Sequence, residues 1–195
     1  MLRLFLLAVT AVILSGCAAL RPEPAPAPDT RPVMRWDFRP EAATWTRASL
    51  DMLQTDAAVL TRIVPEDAEY WCPGYSQADA ARRAAFWTGF MSALAFYEST
   101  WNPDAVGGGG LYYGLLQILP ATARYRNCEA GTGAALRDGG ANLRCALRIM
   151  SITVPRDGVI SQGRRGAAAD WGPMRDPAKV AEMRAWLAQQ SYCQA

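Results

Sequence analysis

One carboxylate in this chain stands where a carboxylate is expensive. Trp87, Met91, Leu94 and Glu98 follow steps of four, three and four, so Glu98 continues the apolar stripe of a helix. A carboxyl among apolar neighbours is poorly solvated when ionised. Its pKa rises, and a raised pKa lets a general acid hold its proton near neutral pH. The competing reading is a glutamate at a fraying helix end whose head reaches water. Histidine is absent, which removes Ser-His-Asp and Cys-His nucleophile systems and imidazole metal sites. If the chain is an enzyme, proton transfer at neutral pH falls to a carboxyl group.

The elements around Glu98 follow from the flanking residues. Ser76, with Asp79 three residues on, reads as an approximate capping box opening a long helix, which carries Phe86, Trp87, Phe90, Met91 and Leu94 toward Glu98. After Ser99 and Trp101 come Asn102-Pro103 and then Gly107 to Gly110, a loop where backbone can approach a ligand closely. The run 114–120, G-L-L-Q-I-L-P, follows. Pro120 starts a short helix through Tyr125, a further helix runs from about Ala141 to Ile152, and Asp176-Pro177 opens a last one with Val180, Met183, Trp186 and Leu187 inward. Upstream, Pro40 to Val64 reads as one helix of ragged period, ended by Pro65.

F-Y-E-S-T-W-N-P followed by G-L-L-Q-I-L-P resembles the paired motifs of the soluble-lytic-transglycosylase family (SLT, goose-lysozyme-like), E-S with a downstream N-P and then G-L-M-Q-I-M-P. The resemblance covers about the central fifth of the chain closely and implies an all-α, lysozyme-like helical domain. It implies that Glu98 is the catalytic acid, that Ser99 helps to hold the substrate or the acid, and that Gln117 contacts a substrate sugar. Leu119 stands where the family often has Met. Tyr112 and Tyr113 are candidates to stack on sugar rings or are rim residues. Asn142 sits near a family Asn that opens the next helix. The run 166–173, G-A-A-A-D-W-G-P, falls where the family shows A-Y-N-A-G: Asp170 takes the Asn position, and Ala169 replaces the tyrosine that hydrogen-bonds near the acid. Tyr112, Tyr113 and Tyr125 are the candidates to supply a hydroxyl in its place.

The N-terminal residues lead to the expectation that this chemistry lies outside the cytoplasm. Arg3 followed by the apolar run Leu4 to Leu14 is too short to span a membrane and right for a secretory signal. The run ends on L-S-G-C, which resembles a bacterial lipobox. That resemblance implies cleavage after residue 16, acylation of Cys17 and a lasting membrane anchor. Ala18 after the cysteine resembles the outer-membrane sorting pattern, so the expected location is the periplasmic face of the outer membrane. Residues 17–39 form the anchor and a proline-rich tether, and 40–195 the domain.

Apolar residues make up 51% of the chain and charged ones 19%, at a formal net charge of +2. That balance fits a folded domain with no nucleic-acid partner. Nineteen arginines accompany a single lysine, Lys179. Beyond Cys17 there are Cys72, Cys128, Cys145 and Cys193. An even count in an exported domain argues for two disulfides. Three connectivities are open; Cys128–Cys145, tying a loop to the next helix, with Cys72–Cys193 fastening the tail, is preferred. C-x-x-C spacing is missing, so no zinc site is expected, and no cofactor is.

The resemblance implies a one-carboxylate cleavage of the bond between N-acetylmuramic acid and N-acetylglucosamine in peptidoglycan, with a 1,6-anhydro product. Two alternatives stand beside it. One is a goose-type-like hydrolase in which Asp104 or Asp170 positions water. The other is a non-catalytic wall-binding or assembly lipoprotein.

Overall fold

The computed structural model describes residues 31–194. The expected signal segment, Cys17 and most of the expected tether lie outside the described residues. Among those described, no helix is long and apolar enough to cross a membrane.

The domain is built around one helix, α4 (Ala80–Ser99). From Ala84 to Ala95 every side chain of α4 is buried, which makes it apolar all round, as a central helix must be. Asp79 is its N-cap and accepts a hydrogen bond from the Arg82 amide. The expected cap at Ser76 is not used: the Ser76 amide and hydroxyl both bond the Glu69 carboxylate, so residues 76–79 turn before the helix starts.

Shorter helices wrap α4. α1 (Ala42–Gln54) and α2 (Val59–Arg62) replace the single helix expected over 40–64. The break falls at Thr55, where the Thr55 and Ala57 amides both close on the Met52 carbonyl. α3 (Ala68–Trp71) and α5 (Pro120–Tyr125) are single turns. α6 (Gly139–Asp157) is capped by Asp138 and packs along α1. α7 (Pro177–Ala188) is capped by Asp176, packs along α4, and buries Met183 and Leu187 fully. Two small antiparallel hairpins complete the fold: β1 (Val106–Gly107) with β2 (Tyr112–Tyr113), and β3 (Ser161–Gln162) with β4 (Arg165–Gly166).

The packed domain begins before residue 40. Met34 and Trp36 are core residues, 3% and 0% exposed. The Trp36 indole donates to the Thr46 hydroxyl, and its ring meets Trp45 edge-on. Residues 34–39 therefore belong to the domain rather than to the tether. Both preferred disulfides are present. Cys72–Cys193 fixes the C-terminal tail beside α3, and Cys128–Cys145 ties the loop after α5 to α6.

Candidate active site

Glu98 lies in the last turn of α4, above Leu94 and Met91, both 0% exposed. Its carboxyl is half-buried and, among the described residues, makes no hydrogen bond and no salt bridge. Burial alone pushes its pKa up, to about 7; the one charge acting against that is Lys179, on α7, which lowers it. A carboxyl in this position is protonated through much of the neutral range and has both oxygens uncommitted.

Lys179 was not singled out for the site by the sequence, and its only signal was its rarity. The ammonium lies 5.6 Å from the centre of the Tyr97 ring and 3.7 Å from Asp176. The Tyr97 hydroxyl donates to Glu182, which also accepts from Arg35 at 2.8 Å. Replacing Lys179 by Met removes the positive charge that favours ionised Glu98, so the alkaline limb of the pH–activity profile is expected to move to higher pH. An unmoved limb in steady-state rates across pH would show that Lys179 has no effect on the acid.

The chain leaves α4 through strained backbone. Thr100 and Trp101 both have positive φ, at 50° and 56°, a conformation costly for residues with a Cβ. The Thr100 and Trp101 amides close the helix onto the Phe96 and Ala95 carbonyls, and the Trp101 indole donates to the Ser92 carbonyl. This sharp exit directs the chain into the β1–β2 hairpin and the segment 114–118 that follows it.

Segment 114–118 is irregular and largely buried, so its backbone groups need partners from elsewhere. The Ser99 hydroxyl donates to the Leu115 carbonyl at 2.9 Å. The Trp171 indole donates to the Leu116 carbonyl, also at 2.9 Å. Asn142, 0% exposed, accepts from the Leu116 amide and donates to the Tyr113 and Leu136 carbonyls. Three elements thus fix the segment next to the end of α4. Gly114 has φ +79°, and a Cβ there would stand 2.1 Å from the Leu136 carbonyl oxygen. Gly114→Ala is expected to cost about 2–4 kcal/mol, combining backbone strain with the clash, read as a fall in the denaturant midpoint. An unchanged midpoint would mean the segment can relax without loss.

These bonds give several candidate residues a bracing function. Ser99 is buried and satisfied by backbone, at Ala95 and Leu115. Gln117 sits at φ 47°, and its amide nitrogen donates to the Ala105 and Gly114 carbonyls, which holds the hairpin from below. Tyr113 donates its hydroxyl to the Gly110 carbonyl and packs its ring over Gly133. Tyr112 is different: it is 41% exposed and lies over Gly108, the exposed ring of the pair. Leu119 precedes α5 and is half-buried.

The two further carboxylates are engaged apart from Glu98. Asp104 is exposed and paired with Arg137 at 3.1 Å. Asp170 is raised by burial, against Arg126, Arg156 and Arg175 and a hydrogen bond from Thr153, which lower it. Neither is among the charges acting on Glu98. Ala169 lies in a 3₁₀ turn and offers only its carbonyl, which accepts from Arg175. No tyrosine hydroxyl takes the vacated family position against Glu98 among the described residues, where Tyr125 is 78% exposed. No trio of carboxylate or thiol side chains converges there closely enough to hold a metal ion.

Comparison with known proteins gives a match over the central part of the chain. The model of the Transglycosylase SLT domain matches residues 76–158. Those residues are similar to an SLT domain. They include α4 with Glu98, the β1–β2 hairpin, segment 114–118 and Asn142. No curated protein matches the chain. Among solved structures, Bd0314 DslA is similar, in a wild-type form and in two variants that each replace a glutamate by glutamine. Each has a TM-score of 0.75 at 24% identity, covering 84% of this chain and 99% of that one. The likeness shows a shared fold over most of the chain, well beyond the segment matched by the SLT model.

Proposed function

We propose that the protein is a peptidoglycan lytic transglycosylase in which Glu98 acts first as acid and then as base. The observation that carries this reading is a single half-buried carboxyl, free of hydrogen bonds and raised to about 7, at the end of the central helix of an SLT domain. Protonated Glu98 gives its proton to the oxygen joining C1 of N-acetylmuramic acid to C4 of N-acetylglucosamine. The C1–O bond breaks and the glucosamine unit leaves as an alcohol. The muramyl N-acetyl oxygen supports the cationic C1. Glu98, now a carboxylate, takes the proton from the C6 hydroxyl, and O6 closes on C1 as a 1,6-anhydro ring. Glu98 ends protonated and no water is consumed.

Ordinary glycoside hydrolysis needs a second carboxylate. Asp104 is held by Arg137, and Asp170 lies in the field of Arg126, Arg156 and Arg175, which favours the one-carboxylate route over the hydrolase. Tyr112 is assigned to stacking on a sugar ring. Ser99, Gln117 and Asn142 are assigned to holding the segment beside Glu98, so that the acid meets its substrate in one geometry. We further assign the protein to the periplasmic face of the outer membrane through an acylated Cys17, on the resemblance of L-S-G-C to a lipobox.

Mass spectrometry of digested peptidoglycan tests the chemistry. Anhydro-muropeptides are the expected products. Muropeptides with reducing ends in their place would show a hydrolase, and no product at all would leave a wall-binding protein.

A further inference from the structure

Arg35 lies in the segment that opens the domain, far from Glu98 in sequence, yet its contacts converge on the end of α4. Its guanidinium stands 5.1 Å from the centre of the Phe96 ring, 5.8 Å from Trp101 and 5.9 Å from Trp186, and donates to Glu182 at 2.8 Å. The side chain is 15% exposed, which is little for an arginine. Its backbone is held as well: the Arg35 amide donates to the Ser92 hydroxyl, and the Ser92 carbonyl takes the Trp101 indole. Phe38, from the same segment, meets Trp101 edge-on at 5.1 Å. The strained Trp101 is therefore gripped at its ring by the N-terminal segment and at its indole nitrogen by α4.

On α7, Glu182 stands one turn beyond Lys179, so the two share a face. Tyr97, the residue before Glu98, meets both: its hydroxyl donates to Glu182 at 2.9 Å and its ring faces the Lys179 ammonium. Among the described residues, the groups that carry or exchange charge at this junction are Arg35, Tyr97, Glu98, Asp176, Lys179 and Glu182. Arg35, Lys179 and Glu182 all lie outside the segment matched by the SLT model. The N-terminal segment does not need a charge to stay in place, because Met34 and Trp36 are core residues on either side of Arg35. An apolar side chain at this position would pack on the same three rings. The positive charge answers only Glu182.

We infer that Arg35 is a positioning residue for Glu98: by holding Glu182 and Trp101, it keeps Tyr97 and Lys179 in one place against the last turn of α4. The inference rests on the proposed role of Glu98 as the acid. Without Arg35, the Glu182 carboxylate is left to attract the ammonium one turn away on its own face, and Lys179 is drawn off Glu98. The ionised form of Glu98 then loses its cation, so its proton is held more tightly and given up less readily. The exit at Trp101 loosens at the same time, and the acid meets its substrate in a less defined geometry.

The test measures the midpoint of the Glu98 carboxyl titration and the steady-state rate of cell-wall lysis in the wild type, Arg35→Met, Arg35→Lys, Glu182→Gln and the double variant Arg35→Met with Glu182→Gln. Arg35→Met is expected to raise the midpoint by about half a pH unit and to lower kcat roughly tenfold with little change in KM. Arg35→Lys keeps the charge and is expected to hold the midpoint near the wild-type value. Glu182→Gln is expected to lower the midpoint, and the double variant, in which neither charge remains, to return it toward the wild type. Glu182 is exposed, so its variant folds and reads the network even if Arg35→Met does not. A role in folding alone lowers stability and leaves every midpoint where it is. That result, or equal shifts in Arg35→Met and Arg35→Lys, overturns the inference. The midpoints are read without turnover, so failure of the acid role itself shows separately, as lysis retained by Glu98→Gln.

Discussion

Glu98→Gln is expected to abolish cell-wall lysis, by roughly 10³-fold or more, while leaving the fold intact. Gln is nearly isosteric with a protonated Glu but has no proton to give and cannot take one back, so both halves of the reaction fail together. The same substitution has a second, opposite consequence for stability. The folded-state pKa of Glu98 is raised from 4.5 to about 7, so the folded protein binds this proton more tightly than the unfolded chain does. The stability that the group contributes is fully present below about 4.5 and is lost as pH rises toward 7. Removing the titration removes that loss. Glu98→Gln is therefore expected to match the wild type in stability near pH 4 and to exceed it above pH 7, by at most about 3 kcal/mol. Denaturant unfolding of both proteins across pH reads this directly. Retained lysis by the variant would take Glu98 out of the acid role, and parallel stability curves would show that its carboxyl is not raised.

The second large effect is expected at the tail. Cys72–Cys193 joins residues 121 apart in sequence and holds the C-terminal segment against α3. Both sulfurs belong to buried residues, and the neighbouring Tyr192 is 4% exposed. Closing a loop of this length restricts the unfolded chain strongly, and losing such a bridge costs about 2–5 kcal/mol. Cys72→Ala with Cys193→Ala is expected to unfold at markedly lower denaturant. Cys128–Cys145 closes a much shorter loop, 17 residues, and its removal is expected to cost less. Equal losses for the two pairs would show that loop length does not govern the effect. Because the tail packs against the middle of α4, with Gly89 facing the hydroxyl end of Tyr192, the first pair is also expected to loosen the helix that carries Glu98.

The sequence was most informative where a residue type has only one local use. Asp176-Pro177 and Pro120 marked helix starts that the structure places at the same residues, because a proline at the first turn has φ preset and no amide to waste. The pairing of four cysteines was recoverable from which pairing ties a loop or a tail to a helix. The stripe through Glu98 was only a partial reason to single that residue out. α4 is buried on nearly every side, so any phase would have met apolar neighbours, and what distinguishes Glu98 is the absence of a hydrogen-bond partner.

Other features needed the folded chain. The break of α1 from α2 at Thr55 has no proline or glycine to announce it. The start of the domain at Met34 was hidden by the proline-rich composition just before it, though Trp36 is fully buried. Ser99, Gln117 and Tyr113 carry polar groups that look available for substrate, yet segment 114–118 and the hairpin before it are irregular and must borrow donors for their own carbonyls. That demand arises only once the segment is buried. Lys179 acts on Glu98 from a helix eighty residues later in the chain, and no local pattern links the two.

The titration of the Glu98 carboxyl itself tests this account most directly. With carboxyl-labelled glutamate and Glu98→Gln to assign the signal, the carbon resonance is expected to shift with a midpoint near pH 7. A midpoint near 4.5 would mean that the carboxyl is ionised at neutral pH, and Glu98 would have no proton to give to the glycosidic oxygen.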